Sequence, residues 1–343
     1  MKKALLLTAC VLALGLAGCG KEQSELYDRG MDAMEKQDYV TAIGMLQGAV
    51  DAKERLAESY RTLGIAYLES ADYENAAEAF RNSRDAMKYE NDTFEKDVMF
   101  YQAQALRKAG NTEEALEVYN EMAEKFSEGE IWLERGSLYL DRKEYDSARA
   151  DFENAVKKEN SYQMCLEIYQ LYQNSSMKAD GDAFLEMAAK IEPEDEKDLF
   201  ELGCVYYYLD DTEHAQQILE QAREEGSEEA LSLLGNLYLD QGDTEAARKL
   251  FESALEGEEK AAAYNGLALC ELADGNYDAA LEQIEKGLDG AADRDRENLL
   301  FNRIVVYERK LDFEKAKLLM EEFLTEFPEN EEALREYQFL QSR

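Results

Sequence analysis

Few residues in this 343-residue chain have the types and spacing that chemistry needs. His214 is the only histidine, so any Ser-His or Cys-His relay, or any histidine-ligated metal, would have to be built around one ring. No G-x-x-x-x-G-K-S/T or H-E-x-x-H segment accompanies it. Asp274, Asn276, Asp278 and Glu285 stand at the first, third, fifth and twelfth places of a calcium-loop ligand pattern. Ala279 fills the place where that loop needs glycine, and Ala280 falls at a helix-packing spacing, so helix is expected there and no metal. With 76 acidic residues, carboxylate pairs arise everywhere and do not single out a general acid and base. The expectation is a protein that is not an enzyme and carries no catalytic residue, cofactor or metal.

The cysteines carry a different chemistry. Lys2 and Lys3 precede an apolar run from Ala4 to Leu16, interrupted only by Thr8, and small residues follow in Leu16-Ala17-Gly18-Cys19. A positive start, an apolar run too short to span a bilayer comfortably and small residues after it make up a secretory signal peptide. The four residues ending in Cys19 resemble the lipobox of bacterial lipoproteins. That resemblance implies diacylglycerol on the Cys19 sulfur and cleavage before it, so that 1–18 is the signal peptide and 19–25 the lipidated cysteine and a short tether. It implies a location in the bacterial cell envelope, lipid-anchored on the extracytoplasmic side of a membrane. An ordinary signal peptide or a short membrane anchor is the alternative. Cys10 has too little apolar chain before it to serve. About six extended residues reach roughly 20 Å, so the folded body would sit close to the membrane. Cys165, Cys204 and Cys270 are odd in number and widely separated, which is no disulfide framework. They are expected to be small core or groove residues.

The elements that must position these residues repeat. Gly30, Gly64, Ala103, Gly136, Tyr169, Gly203, Gly235, Ala268 and Ile304 follow one another at 32 to 39 residues, the spacing of a solenoid or an array. Three residues on come Ala33, Tyr67, Leu106, Tyr139, Tyr172, Tyr206, Tyr238, Glu271 and Tyr307. Twelve on come Ala42, Ala76, Ala115, Ala148, Gly181, Ala215, Ala247, Ala280 and Ala316. Sixteen on come Leu46, Phe80, Tyr119, Phe152, Leu185, Leu219, Phe251, Ile284 and Met320, all large and apolar. Offsets of three and four keep side chains on one helical face, and small residues mark close backbone approach. Two antiparallel helices per unit follow. The turns Ala109-Gly110-Asn111, Gln241-Gly242-Asp243 and Asp274-Gly275-Asn276 place Asn or Asp to cap the second helix, with Glu114 completing a capping box on Asn111. Pro193 and Pro328 fall at unit ends. A coiled coil is excluded, because the period is not seven and turns recur.

This pattern resembles the tetratricopeptide repeat, through Trp132, Gly136, Tyr139, Ala148, Phe152 and Ala155, and again through Leu234, Gly235, Tyr238, Ala247, Phe251 and Ala254. The resemblance implies an all-α chain, an α-solenoid over 26–343 with about nine helix-turn-helix repeats in 23–330 and a capping helix at 331–343. Leu334, Tyr337 and Leu340 would then cover the last repeat. Two departures stand out. Tyr169 and Gly181 break their columns, so that helix pair is expected to splay, and an insertion near Asn91 to Glu95 interrupts the spacing.

In the resembled family the concave wall is lined by first-helix residues outside the packing columns, which here are Phe100, Gln104, Phe200, Cys204, Asn236, Asn265, Phe301 and Asn302. Amides suit the backbone of an extended ligand and aromatic rings supply apolar area. The alternative is that the amides are merely solvated and the phenylalanines pack between units. Arg107, Lys108 and Arg309 are scattered, so a terminal carboxylate is a less fitting ligand. The expected function is a membrane-anchored extracytoplasmic scaffold that binds protein or peptide partners in its concave groove. The alternative is a structural assembly or localisation factor of an envelope complex, acting through its convex face or ends. A net charge of −38 makes nucleic acid a poor partner.

Overall fold

The computed structural model describes residues 25–227, 229–257 and 260–341. Cys19, the signal peptide and the tether up to residue 24 lie outside the described residues. Among those described, every regular element is an α-helix, nineteen in number. The chain divides into two compact units, the first ending at Asp151 and the second beginning at Phe152.

The first unit holds α1 (Glu25–Glu35), α2 (Tyr39–Asp51), α3 (Leu56–Glu69), α4 (Tyr73–Asp85) and α5 (Asp92–Lys108). It continues with α6 (Thr112–Lys125), α7 (Gly129–Asp141) and the start of α8 (Tyr145–Lys158). The second unit takes the rest of α8, then α9 (Tyr162–Asn174), α10 (Lys178–Ala188), α11 (Glu196–Tyr208), α12 (Thr212–Glu224) and α13 (Glu229–Asp240). It ends with α14 (Thr244–Ala254), α15 (Lys260–Ala273), α16 (Tyr277–Leu288), α17 (Asp293–Arg309), α18 (Phe313–Glu326) and α19 (Glu331–Gln341). Odd-numbered helices are the first of each pair, and α19 stands alone at the end.

The same turn joins all nine pairs. Seven residues after each column position the backbone is left-handed, at Gln37, Ala71, Gly110, Lys143, Ser176, Asp210, Gly242, Gly275 and Leu311. The next amide then reaches back to the carbonyl of the column three residues on, as in Asp72 N to Tyr67 O at 2.9 Å and Asp243 N to Tyr238 O at 2.8 Å. This is a Schellman closure, which satisfies carbonyls that a helix end leaves open. The residue after the left-handed one caps the second helix: Asp38, Asp72, Asp211, Asp243 and Asp312 each accept a backbone N–H three residues on. Asn111 and Asn276 make no such side-chain bond. Glu114 pairs with Arg81 instead of completing a box, and Asn276 gives its amide to Glu271 at 2.9 Å.

The alanine column is fully buried wherever it is alanine, and the large column sixteen residues on is at most 2% exposed. Each such side chain removed from water is worth about 1.5 to 3 kcal/mol. The glycine column exists to admit the large one: a Cβ on Gly30 would lie 2.7 Å from Leu46 Cγ, one on Gly64 2.7 Å from Phe80 Cε1, and one on Gly203 2.7 Å from Leu219 Cγ. Phe251 is held from two sides, since a Cβ on either Gly235 of α13 or Gly266 of α15 would overlap its ring.

Two expectations are corrected. The α9–α10 pair is not splayed: Tyr169 and Tyr172 are each 1% exposed, and a Cβ on Gly181 would come 3.0 Å from Tyr169 Cδ2. The bulk has moved from one column to the other, so the pair stays close. In α19 it is Ala333 and Leu340 that are buried, with Tyr337 packed beside them, while Leu334 is 42% exposed. Residues 333, 337 and 340 share a helical stripe from which 334 is turned by 100°. The insertion is absorbed by the loop after α4 and by a longer α5, whose first turn Asn91 caps by accepting from Phe94 N.

At the start of the described chain, Glu54 Oε2 accepts from Leu26 N at 3.0 Å and Tyr27 N at 3.2 Å. The α2–α3 loop thus satisfies the first turn of α1. No described helix is long and apolar enough to cross a membrane.

Candidate partner-binding face

On each first helix, the positions three before, one after and four after the column residue form a stripe at i, i+4 and i+7 spacing. This stripe lies beside, not on, the face that meets the second helix. In the second unit the first helices contact one another in order, α9 with α11, α11 with α13, α13 with α15 and α15 with α17. Their stripes carry Leu166, Gln170 and Gln173; Phe200, Cys204 and Tyr207; Ser232, Asn236 and Leu239; Asn265, Leu269 and Leu272; and Phe301, Val305 and Glu308. None of the fifteen is buried, and only Glu308 is charged, in a chain where a third of the residues are.

Seven of the eight groove residues expected from the sequence fall on this stripe, Phe100 and Gln104 in the first unit and the others in the second; Asn302 lies one position beside it. They are not equally free. Phe100 is half-buried, edge-on to Tyr119 at 6.4 Å, and Phe301 is edge-on to Phe323 at 5.7 Å. Phe200 packs against the cluster around Leu199 and Leu234. Asn302 Nδ2 donates to Asn265 Oδ1 at 2.8 Å, so these amides spend one donor and one acceptor on each other. Gln104 is half-buried and Asn236 is exposed. Cys204 is partly exposed, with burial and then Glu201 pushing its thiol up to about 12. Burial likewise raises Cys165 and Cys270 to about 11. All three are free thiols, and none ionises near neutral pH.

The sequence reading missed the aliphatic members Leu239, Leu269, Leu272 and Val305 and the phenol of Tyr207, whose hydroxyl donates to Asp240 Oδ2 at 3.3 Å. Leu239, Leu272 and Tyr207 stand at the third position of the stripe, beyond the offsets of one and three used for the expected residues, whereas Leu269 and Val305 stand at its second, where amides and a thiol were expected. At the end of the stripe, burial and the neighbouring Glu336 raise Glu308 to about 7, and its Oε1 is buried without a donor.

The first unit differs on the same positions. Arg61 pairs with Asp97 of α5. Arg107 reaches α7 through Asp141 at 2.6 Å, Ser137 Oγ at 3.1 Å and Glu134 at 3.5 Å. On α7 itself Leu133, Ser137 and Leu140 are buried.

Residues weighed for chemistry serve locally. His214 Nδ1 lies 2.8 Å from Asp211 Oδ2, and its ring stacks on Tyr206. Residues 277–288 are the helix α16, so the calcium-like spacing is not a wrapping loop; Asp274 pairs with Arg248 and Asp278 with Lys310. Among the described residues no group of three or more His, Cys, Asp or Glu is placed to hold a metal.

The tetratricopeptide-repeat family model matches residues 100–163, 200–258 and 232–295. No curated protein matches the chain in sequence. Among solved structures, a tetratricopeptide repeat protein from Parabacteroides merdae is 18% identical, with 81% of this chain and 98% of that one covered and a TM-score of 0.40. MamA is 14% identical over 46% of this chain and 91% of its own, with a TM-score of 0.39. A structure of Naa15/Naa10 bound to HypK-THB is 16% identical with a TM-score of 0.48; 94% of this chain is aligned, spanning half the length of that one. Repeats of this kind typically mediate protein–protein interaction and are usually non-enzymatic. Matched in three stretches, and built of helix pairs whose columns meet as that signature requires, the chain carries tetratricopeptide repeats.

Proposed function

We propose that the chain is an extracytoplasmic scaffold, held to a bacterial membrane by diacylglycerol on Cys19, that binds protein or peptide partners through the first-helix face of its repeats. The observation that carries the reading is the uncovered stripe on α9, α11, α13, α15 and α17, partly exposed throughout. The anchor rests on Leu16-Ala17-Gly18-Cys19 following a charged and apolar leader. The alternative, an assembly or localisation factor acting through an end of the repeat array, draws on Leu318, Leu334 and Phe339, each more than 40% exposed near the C-terminus.

Cys19→Ser should leave the precursor uncleaved or release the body from membranes; normal lipidation and processing of that variant would remove the anchor. A partner recovered from detergent-solubilised membranes should bind Asn236→Ala/Asn265→Ala about 1 to 3 kcal/mol more weakly, through lost hydrogen bonds. Equal affinity would move the site elsewhere.

A further inference from the structure

The scaffold reading leaves the chemistry of the partner open, and the stripe of the second unit narrows it. This protein carries a net charge of −38, yet fourteen of the fifteen stripe residues are uncharged and none is buried. Leu269, Leu272 and Val305 present aliphatic surface, Asn236 an exposed amide, and Tyr207 a phenol. Phe200, Tyr207, Leu239, Leu272 and Phe301 are apolar partly because they pack against the clusters beneath them. At the other ten positions packing does not demand neutrality, and charged residues are the usual occupants of such partly exposed sites. A ligand laid on these fifteen positions would find no lysine or arginine among them and no carboxylate but Glu308 at one end, the neighbouring Asp240 carboxylate being engaged by the Tyr207 hydroxyl. A desolvated charge without a partner is costly. The exposed Asn236 amide can instead meet backbone N–H and C=O groups, with the Tyr207 oxygen left as an acceptor, while the aliphatic residues cover apolar side chains.

From this absence of charge we infer that the first-helix stripe of α9 to α17 takes an uncharged, apolar stretch of partner polypeptide, internal to its chain, in preference to a charged motif or a free C-terminal carboxylate. This rests on the scaffold reading and adds the chemistry of the partner to it. Neighbouring packed helices lie about 9 Å apart, so five of them span about 36 Å, the reach of about eleven extended residues.

The test uses the full-length protein in detergent and an array of random eleven-residue peptides, acetylated at the N-terminus and amidated at the C-terminus. Selected peptides should be uncharged over their central residues. Placing Lys or Glu at the middle of a selected peptide should weaken binding at least tenfold, measured by fluorescence polarisation. Leu269→Glu should do the same from the protein side. Asn236→Asp, at an exposed position that leaves the fold intact, should weaken an uncharged peptide at least threefold. Selection of centrally charged peptides whose binding Leu269→Glu abolishes would overturn the inferred chemistry and leave the scaffold reading standing. Binding that ignores both substitutions, or an array that selects no peptide, would overturn both.

Discussion

The two units build neighbouring first helices together by different means. In the first, Arg61 pairs with Asp97 and Arg107 with Asp141 and Glu134. Between a first and a second helix both units use an arginine fork: Arg135 of α7 on Asp151 of α8 at 2.7 and 2.8 Å, and Arg248 of α14 on Glu271 of α15 and on Asp274 just after it at 2.6 and 2.8 Å. Asp151 is 4% exposed, Asn120 takes a further Arg135 N–H, and the guanidinium lies over the Trp132 ring. In the second, the corresponding positions meet through Asn265 with Asn302, Tyr207 with Asp240 and aliphatic side chains. An arginine committed to one or two carboxylates is already satisfied and gives a ligand little; an uncharged, partly exposed stripe has surface still to cover. The same stripe of the first unit also carries uncharged, partly exposed Met31, Met34, Ile65 and Leu68, so the contrast rests on Arg61 and Arg107 and the partners they engage.

Breaking the buried pair should separate the units most. Arg135→Ala leaves the Asp151 carboxylate buried without its cation, at a cost of about 3 kcal/mol or more, whereas Asn265→Ala on the uncharged stripe should cost about 1 kcal/mol. Urea titrations of the two variants check this, and equal losses would dissolve the contrast. Replacing Arg135 and Asp151 together by Met and Leu should recover most of the first loss.

Packing in the second unit is tested by Gly266→Ala. The added methyl overlaps the Phe251 ring, and overpacking should outweigh the gain in helix propensity by about 2 kcal/mol. Because repeats interact with their neighbours, hydrogen exchange should accelerate in α13 to α15 and stay unchanged in α1 to α6. Uniform acceleration would show the chain to be one cooperative block.

A pH-dependent difference should appear only at the far end. Glu308 titrates near 7 when folded, raised by burial and by Glu336 from an ordinary value near 4.5. Between those values the folded state holds the extra proton, so the stability this carboxyl contributes is fullest below about 4.5 and is lost as pH rises through 7, by about 2 kcal/mol once its partial exposure to solvent is discounted. Melting at pH 5 and pH 8 measures it, and Glu308→Gln should flatten the profile. An unchanged slope in that variant would place the titrating group elsewhere.

The smallest effect sits in the shared turn. Leu311 holds a left-handed backbone at φ 61° and is 74% exposed, so Leu311→Gly should stabilise by about 1 kcal/mol, and Gly242→Ala should destabilise by about as much. Thermal melts of both check the sign.

The sequence by itself determined the nine helix pairs and their joints. A column of small residues, one of alanine and one of large apolar residues meet only if two helices cross at a fixed depth, and Asp at the cap position is a local signal that needs no neighbour. Most of the candidate face was legible for the same reason, because Phe200, Asn236 and Asn265 share an offset from their column residues or lie four apart on it. The tertiary structure alone decided the rest. The left-handed turn residue is Gln, Ala, Lys, Ser, Asp or Leu as readily as Gly, since closure by the following amide holds the backbone there whatever the side chain. The exchange of bulk between Tyr169 and Gly181, and the clamping of Phe251 by a glycine of the next repeat, depend on distances between residues 12 and 15 or more positions apart, which no single column records. Whether an arginine on the face is free or spent depends on the carboxylate that the adjacent helix brings to it. That partner lies about thirty residues away in sequence, and only the packing of one repeat on the next puts it within reach.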